Sequence, residues 1–338
     1  MSFVCPKANQ NNVRSDEALL ELLFSLRASN YAFVTPTPLT HQRVLGRPPH
    51  ATARNLRDIF GWSRVFQKEC LPALLFQMLC EEGLVIETPA GWKSLVRVSS
   101  LGKDLFVHSA FPTTAPDSVF FGPDTYRFAK AIRDHLQISG GSLRRVVDIG
   151  CGAGVGGMVV SKTVACDEVL IADINDKALD FSQINVLAAG LGNVVPVRSD
   201  LLKNIDGDFD LIISNPPYLN DPLGRAYRNG GGPLGSALSL DIVNCAKNRL
   251  APGGSLLLYT GAPVLDGNDP FFEAVKEAFD GSDLTWSYEE VDPDVFGEEL
   301  DTEAYYEADR IAAVVLTARK EELFDARHGS YSAKNQPF

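Results

Sequence analysis

The chain has 338 residues, of which 45% are hydrophobic and 22% charged, and its formal net charge is −12. These proportions are typical of globular proteins and exclude collagen, coiled-coil filaments and overall disorder. There is no run of about 18 apolar residues and no basic stretch followed by an apolar one at the N-terminus, so we expect neither a membrane span nor a secretory signal, and we expect a cytoplasmic protein. At about 150 residues per domain, the length predicts two domains.

Metal chemistry is not indicated by the cysteines and histidines. The six cysteines form no CxxC pair, and the five histidines have no HxxxH spacing. The sequence therefore predicts reduced thiols and no metal site.

The charge is distributed unevenly along the chain. Residues 1–125 carry 12 Lys/Arg and 11 Asp/Glu, whereas residues 126–338 carry 19 and 32. Between residues 43 and 68, six basic residues stand against the single acid Asp58: they are Arg43, Arg47, Arg54, Arg57, Arg64 and Lys68. This stretch predicts either a solvated helix face or a surface for phosphate or for an acidic protein. The overall negative charge weakly opposes broad nucleic-acid affinity.

The N-terminal third has the pattern of a small helical or winged-helix-like domain, which we place at residues 1–115. Helical spacing covers residues 15–29 and 71–83, and residues 84–101 read as two strands joined by a turn at Pro89–Gly91. Such a domain either presents a protein or RNA substrate or serves as an interaction module.

From about residue 125, apolar strands alternate with helices. This alternation predicts an α/β fold with a doubly wound, seven-stranded, Rossmann-like sheet over residues 116–325, followed by a tail at 326–338. The predicted strands cover residues 144–150, 167–174, 193–199, 209–215, 253–261, 284–291 and 310–318, and helical periodicity covers 177–190 and 236–254. We expect the acidic segment 289–309 to be a solvated surface element. The Gly- and Pro-rich segment 219–235 is either a lid or a plain connection.

The first predicted strand runs into a glycine-rich turn at residues 148–157. Glycines allow close approach of the backbone to a ligand, and a helix start offers unpaired N–H groups. Gly152, Gly154 and Gly157 satisfy GxGxxG, with Asp173 about twenty residues further on, which is also the pattern of NAD-dependent oxidoreductases.

Three acids favour a different ligand, S-adenosylmethionine. Asp148, Asp173 and Asp200 stand at the ends of successive strands. In those places they could reach the methionine end, the ribose hydroxyls and the adenine amino group, respectively. Such a set of carboxylates suits a cationic sulfonium and ammonium better than an anionic pyrophosphate. The alternative role for any one of them is a helix N-cap.

The tetrapeptide Asn215-Pro216-Pro217-Tyr218 directly follows the apolar strand at 209–214. Consecutive prolines cannot continue a central strand, so the chain leaves the sheet with the Pro216 carbonyl free to accept. Together with the Asn215 side-chain oxygen, it forms a pair of acceptors that can hold a planar NH2 group with its lone pair aimed at a methyl donor. Tyr218 can stack on the flat face of an amide or base. No strong base is needed, because the proton can leave after the nitrogen has become positively charged.

Three segments carry a resemblance to a known family: VVDIGCGAGVGG at 146–157, IADINDKALDFSQINVLAAGL at 171–191 and FDLIISNPPYLND at 209–221. They resemble the class I S-adenosylmethionine-dependent methyltransferases of the small-domain group, and among these the release-factor glutamine methyltransferases (the HemK/PrmC family). The resemblance implies N-methylation of a protein glutamine side chain. Amino-group methyltransferases acting on adenine or guanine in RNA or DNA share the tetrapeptide, so a nucleobase acceptor remains the alternative.

The resemblance also implies site residues. The segment at 122–125 stands where the family carries a Pro-x-x-Thr-type segment that helps to shape the cofactor pocket. Substrate orientation would fall to the tetrapeptide 215–218. The expected cofactor contacts are Thr125, Asp148, Gly150, Cys151, Gly152, Gly154, Asp173, Ile174, Asp200, Leu201 and Asn215.

Overall fold

The structure is a computed structural model that describes residues 10–47 and 52–321, with side chains from residue 16 onward. The predicted tail at 326–338 lies outside this range. No described helix combines the length and apolarity needed to cross a bilayer.

The N-terminal third is built from four helices and two hairpins. They are α1 (Gln10–Ala28), α2 (Pro38–Leu45), α3 (Leu56–Phe60), α4 (Ala73–Glu81), β1 (Val85–Thr88), β2 (Gly91–Ser94), β3 (Val96–Leu101) and β4 (Asp104–Ser109). A 3₁₀ turn at Lys68–Cys70 precedes α4. The predicted helices at 15–29 and 71–83 and the turn before Gly91 are confirmed.

The region predicted as a single second strand forms two strands, β2 and β3, so this prediction is wrong in its bounds. The Ser94 hydroxyl binds both the N–H and the carbonyl of Val96, which turns the chain between β2 and β3. As a result β3 leaves the first hairpin and pairs with β4 in a separate two-stranded sheet. The sequence reading did not identify α2, α3 or β4.

The rest of the chain forms one seven-stranded sheet flanked by helices. Its elements are α5 (Pro123–Ser139), β5 (Leu143–Ile149), α6 (Val155–Thr163), β6 (Cys166–Asp173), α7 (Asp176–Ala189), β7 (Val194–Arg198), β8 (Phe209–Ser214), α8 (Ala237–Arg249), β9 (Leu250–Val264), α9 (Pro270–Phe279), β10 (Leu284–Asp292) and β11 (Arg310–Lys320). The strand order is β10-β11-β9-β8-β5-β6-β7. Strands β5 to β9 run parallel, and β11 lies antiparallel between β9 and β10. The predicted fold class is confirmed.

The register of the central strands determines where a ligand can bind. The order of the strands reverses at β5, which lies between β6 and β8. Ile149, the last residue of β5, pairs with Ala172 on one side and with Ser214 on the other. The glycine turn, Asp173 and the tetrapeptide therefore leave the sheet at the same level, on either side of the crevice where α/β proteins bind ligands.

The N-terminal third packs directly on the sheet region, against α7. The Asn185 side chain on α7 accepts from the N–H of Val107 on β4 at 2.8 Å and donates to its carbonyl at 3.1 Å. Leu22 and Leu26 of α1 belong to the same hydrophobic cluster as Val146, Ile171 and Ile213 of the central strands. The predicted division into two domains at residue 115 stays a prediction.

Candidate active site

A cavity of about 230 Å³ opens at the carboxyl ends of the central strands. Every residue predicted for the site lines it, with the exception of Gly154. The structure thus brings together residues that lie up to 93 positions apart, from Thr125 to Tyr218. Their contacts with a ligand stay predictions.

The glycine turn forms an open wall of the cavity. Gly150 and Gly152 have φ values of +71° and +53°, and a Cβ added at either would meet no protein atom within 4 Å. Glycine is therefore required there by the left-handed backbone, and the space beside the turn is free for a ligand. The Gly150 and Cys151 N–H groups both donate to the Ala172 carbonyl, which fixes the turn to β6.

Gly154, expected to contact the cofactor, has a different role. It is the N-cap of α6 with a φ of +77°, and a Cβ there would lie 3.0 Å from the Cβ of Ser182 on α7. The close approach of the two helices explains the glycine. Gly154 thus packs against α7 rather than lining the cavity.

Asp148 is buried at the base of the glycine turn, with 1% of its surface exposed. One carboxylate oxygen accepts from the Gly157 N–H in the first turn of α6 at 2.9 Å, and the other has no hydrogen-bond partner among the described residues. Burial raises the pKa of this carboxyl to about 7, even though the Gly157 hydrogen bond lowers it. Asp148 therefore changes charge near neutral pH.

Asp173 holds the turn from the other side. Its carboxylate accepts from the Gly152 N–H at 3.0 Å and from the Asn175 N–H at 2.9 Å, and burial raises its pKa. Asp200, in contrast, is exposed and pairs with Lys203. Both acids line the cavity.

These contacts argue against a dinucleotide ligand. In a dinucleotide site, the N–H groups of the glycine turn and the following helix bind pyrophosphate oxygens. Here the N–H groups of Gly152 and Gly157 bind the protein's own carboxylates. The local field favours a cation, as predicted for a sulfonium ligand.

The tetrapeptide presents two unused acceptors to the cavity. Neither the Asn215 side chain nor the Pro216 carbonyl forms a hydrogen bond with another described residue, and both residues line the cavity. Acceptors of this kind at a cavity wall are available to a donor group on a ligand.

The Tyr218 side chain is held by more contacts than the sequence predicts. Its hydroxyl donates to Asp124 at 2.9 Å, and its ring packs on Gly261, where a Cβ would lie 2.3 Å from the ring. Only 6% of the residue is exposed. Any stacking on a ligand is limited to the part of the ring that faces the cavity.

Asp124 was not identified from the sequence as a functional residue. It is buried at the start of α5, lines the cavity and accepts hydrogen bonds from Tyr218, Tyr259 and Arg127. Burial raises its pKa, and these three donors lower it in part. Its neighbour Thr125 lines the cavity as predicted, and its hydroxyl accepts from the Gly122 N–H as a helix cap. The only sequence signal for Asp124 was its place beside Thr125.

The acidic segment expected to be solvated is instead partly buried, so that expectation is wrong. Val295, Glu299 and Tyr305 are buried, and Phe296 lines the cavity with its ring edge-on to Tyr218. The Tyr305 hydroxyl accepts from an N–H of the segment 219–235 at 2.7 Å. The segment therefore contributes Phe296 to the wall of the site, while most of its other residues are exposed or half-buried.

The Gly- and Pro-rich segment 219–235 lines the cavity through Leu219 and residues 226–228, and it is tethered by two contacts. Arg228 pairs with Glu299, and the Tyr227 hydroxyl donates to the Thr113 carbonyl at 2.7 Å. The Tyr227 ring stacks on Phe120, with centroids 5.9 Å apart. Whether this segment moves as a lid stays a prediction.

Fold and site together define a class of enzyme. A doubly wound seven-stranded sheet with an antiparallel β11, a glycine turn bounded by two acids, and an Asn-Pro-Pro-Tyr corner beside it are the features of a class I S-adenosylmethionine-dependent methyltransferase. Residues 129–280 match the family described as "Methyltransferase small domain". The predicted resemblance is confirmed at this level.

Curated relatives of the chain include proteins with two different acceptors. It is 39% identical over 118 residues to the ribosomal RNA small subunit methyltransferase C of Pasteurella multocida, covering 35% of this chain and 33% of the relative. It is 33% identical over 157 residues to the release factor glutamine methyltransferase of Borreliella burgdorferi, covering 43% and 53%. The chain thus spans between a third and about half of the length of these relatives.

Among solved structures, a Thermus thermophilus 16S rRNA N2 G1207 methyltransferase in complex with AdoMet and guanosine aligns with a TM-score of 0.45 and 18% identity. The alignment covers 76% of this chain and 63% of that one.

The cofactor of this class is S-adenosylmethionine, and the residues present fit it. The open space beside Gly150 and Gly152 is a cradle that side chains would fill. The free oxygen of Asp148 and the carboxylate of Asp173 provide negative charge and acceptors around it. Within residues 10–47 and 52–321, no group of His, Cys, Asp or Glu could hold a metal ion.

Proposed function

We propose that this protein transfers a methyl group from S-adenosylmethionine to a planar amide or amino nitrogen. The observation that carries the proposal is the pair of unused acceptors, the Asn215 side chain and the Pro216 carbonyl, at the same level of the sheet as the open glycine cradle. When bound, S-adenosylmethionine supplies an electrophilic methyl group on a positively charged sulfur.

The chain's own residues would act by orientation. The two oxygens accept the two hydrogens of a planar NH2 group, which leaves the nitrogen lone pair directed out of the plane. The nitrogen then forms a bond to the methyl carbon while the sulfur–carbon bond breaks. The developing positive charge on nitrogen is stabilised by the same two oxygens, and the extra proton leaves to water afterwards.

Two acceptor types present such a group: a protein glutamine side chain, which the resemblance favours, and the exocyclic amine of a nucleobase. The tetrapeptide alone does not distinguish the two acceptors, because each presents the same planar NH2 group. We expect the N-terminal third to select between protein and nucleic acid, since Pro38 at the start of α2 reaches the cavity.

The test compares the variant Asn215→Ala with the control variant Asn248→Ala. Asn248 is an exposed residue on α8 whose side chain bonds only within its own helix. Each purified protein is incubated with tritiated S-adenosylmethionine and cell extract, and cofactor affinity is measured by calorimetry. We expect Asn215→Ala to bind the cofactor within about twofold of wild type and to lose about 100-fold or more in transfer. Equal turnover of both variants, or tight binding of NADH in place of S-adenosylmethionine, contradicts the proposal.

A further inference from the structure

Exposed cations without partners are concentrated in the N-terminal third. Beyond residue 125, twelve of the described lysines and arginines form an ion pair with a carboxylate. In contrast, Arg43, Arg47, Arg57 and Lys68 are exposed and form no ion pair with any other described residue. In a chain of net charge −12, this is a local cationic surface, which we call the N-terminal cationic surface.

The N-terminal cationic surface begins at the mouth of the cavity. Pro38, the first residue of α2, lines the main cavity, and a smaller cavity beneath α2 shares Pro38, Thr113 and Phe120 with it. With a rise of 1.5 Å per residue, Arg43 lies about 8 Å along the helix from Pro38. The first cation is therefore within one or two nucleotides of the place where an acceptor nitrogen would enter.

The helix α2, which carries Arg43, is held in place by a buried histidine. The His41 ring contacts Trp62 and Phe111, and its Nε2 lies 3.0 Å from the Trp62 carbonyl. Burial, together with the positive charges of Arg97, Arg64 and Lys93, lowers the pKa of His41 to about 4. Arg64, Lys93 and Arg97 therefore lie close enough to α2 for their charges to act on His41.

Backbone pairing brings further cation-bearing segments side by side. Thr52 pairs with Val65, and Phe66 pairs with Trp92. The chain segments that carry Arg54, Lys68 and Lys93 consequently run next to one another. Arg57 lies on α3, and its carbonyl accepts from the N–H of Trp62, whose ring contacts His41 of α2.

The cavity itself has the opposite charge. Asp124, Asp148, Asp173 and Asp200 line it, and the one Lys or Arg among its described lining residues, Arg228, is paired with Glu299. Phosphate groups would be repelled by the cavity and attracted by the surface beside it, whereas an uncharged base can enter the cavity. An acidic protein that carries a glutamine would bind the same surface. A polynucleotide also explains why there are several separate cations, because its phosphate charges repeat at regular intervals.

We propose that the methyl acceptor is a base of a single-stranded polynucleotide whose phosphates bind Arg43, Arg47 and Arg57 of the N-terminal cationic surface. This inference rests on the proposed function for the identity of the reaction, but the binding surface can be tested without it. A single strand presents the base without the cost of flipping it out of a duplex, which a base must otherwise leave to reach such a cavity.

The experiment measures fluorescence anisotropy of a fluorescein-labelled 20-nucleotide RNA of mixed sequence, a DNA of the same sequence, and a labelled polyglutamate peptide. The full-length protein is compared with the triple variant Arg43→Gln/Arg47→Gln/Arg57→Gln. The matched control is Lys130→Gln/Arg144→Gln/Lys276→Gln, which removes the same charge from exposed positions of the sheet region.

We expect the first variant to bind the oligonucleotide about tenfold more weakly at 0.1 M salt. Its slope of log affinity against log salt should fall by about 2, because each phosphate contact on a single strand contributes about 0.7. The control should change binding less than twofold, and the polyglutamate should bind more weakly than either oligonucleotide. The relative affinities of the RNA and the DNA identify which polynucleotide is preferred.

Three results overturn the inference: equal weakening in both variants, no oligonucleotide binding by the wild type at 50 mM salt, or tritium from S-adenosylmethionine found only in protease-sensitive material. The last result would leave the proposed methyl transfer intact. If the wild type does not bind S-adenosylmethionine, the proposed function is overturned, whereas the oligonucleotide binding measured by anisotropy is unaffected.

Discussion

The hydroxyl of Tyr218 donates a hydrogen bond of 2.9 Å to the buried carboxylate of Asp124, which ties the Asn-Pro-Pro-Tyr corner to the first turn of α5. The same carboxylate accepts from Tyr259 on β9 at 2.8 Å. Arg127 links it onward to Asp292 at the end of β10. One buried acid therefore links the acceptor corner to α5 and β9 directly and, through Arg127, to β10.

Removing the Tyr218 hydroxyl should loosen the corner without affecting the cofactor. In Tyr218→Phe, the ring still packs on Gly261, but Asp124 loses one donor, which costs about 1.5–3 kcal/mol for a bond to a charged group. We expect turnover to fall about tenfold while the dissociation constant of S-adenosylmethionine stays within twofold. Steady-state kinetics with calorimetry measure both.

The control for this prediction is Tyr306→Phe, because Tyr306 is 84% exposed. Asp124→Ala should have a larger effect than Tyr218→Phe, since it leaves two buried tyrosines and Arg127 without their acceptor. A Tyr218→Phe enzyme with unchanged turnover would mean that Asn215 and Pro216 are held without this bond.

The sheet and most of the cavity could be predicted because they depend on local patterns. The first five predicted strands of the sheet are short apolar runs, and the glycines and prolines that end β5 and β8 carry their own backbone requirements. Once the order of the strands is that of a doubly wound sheet, the residues after Ile149 and Ser214 must lie together.

Asp124 and Phe296 could not be found in this way. Asp124 reads as an ordinary acid in a helix first turn, and its importance comes from Tyr218 and Tyr259, which are 94 and 135 residues away. Phe296 lies in a segment rich in acids, and only its position beside Tyr218 in the folded protein turns it toward the cavity. Both depend on tertiary contacts that no periodicity encodes.

The titration of Asp148 should make cofactor binding depend on pH. Its pKa is raised to about 7 by burial, so the apo protein at pH 5.5 holds this group neutral. A cationic ligand favours the ionised form, and binding that requires deprotonation weakens by up to about tenfold per pH unit below the pKa. We expect the affinity for S-adenosylmethionine to rise between pH 5.5 and 7.5, as measured by calorimetry in buffers of different ionisation enthalpy.

The same group has a predictable effect on the stability of the apo protein. Because the folded-state pKa lies above the usual value of 3.8, the folded chain keeps a proton that the unfolded chain releases. The stabilisation from Asp148 is complete below about pH 4 and is lost as the pH rises through 7. Asp148→Asn should flatten both profiles, and Asp176→Asn, at an exposed position, should leave them unchanged. A flat profile for the wild type would contradict the prediction.

Asp173→Ala should weaken the binding of S-adenosylmethionine for a different structural reason. The substitution removes the acceptor that holds the Gly152 and Asn175 N–H groups, as well as the expected contact with ribose hydroxyls. With bonds to a charged group worth about 1.5–3 kcal/mol, we expect the dissociation constant to increase by about 100-fold. Asp176→Ala serves as the control in the same calorimetric titration. An unaltered dissociation constant for Asp173→Ala would remove this acid from the binding site.

Asn185→Ala should reveal how the N-terminal third depends on the sheet region. The Asn185 side chain is fully buried and bonds to both backbone groups of Val107, and it also donates to the Ala153 carbonyl in the glycine turn at 3.0 Å. Alanine leaves these three backbone groups without a partner, at a cost of about 3 kcal/mol in total.

For a protein of this size, that loss corresponds to a decrease of about 4 °C in the melting temperature. Because Ala153 belongs to the glycine turn, cofactor affinity should fall as well, whereas a purely N-terminal contact would leave it unchanged. Thermal unfolding followed by circular dichroism, with and without S-adenosylmethionine, measures both effects, and Asn248→Ala is the control at an exposed asparagine. A melting temperature within 2 °C of wild type would mean that water replaces the lost bonds at this interface.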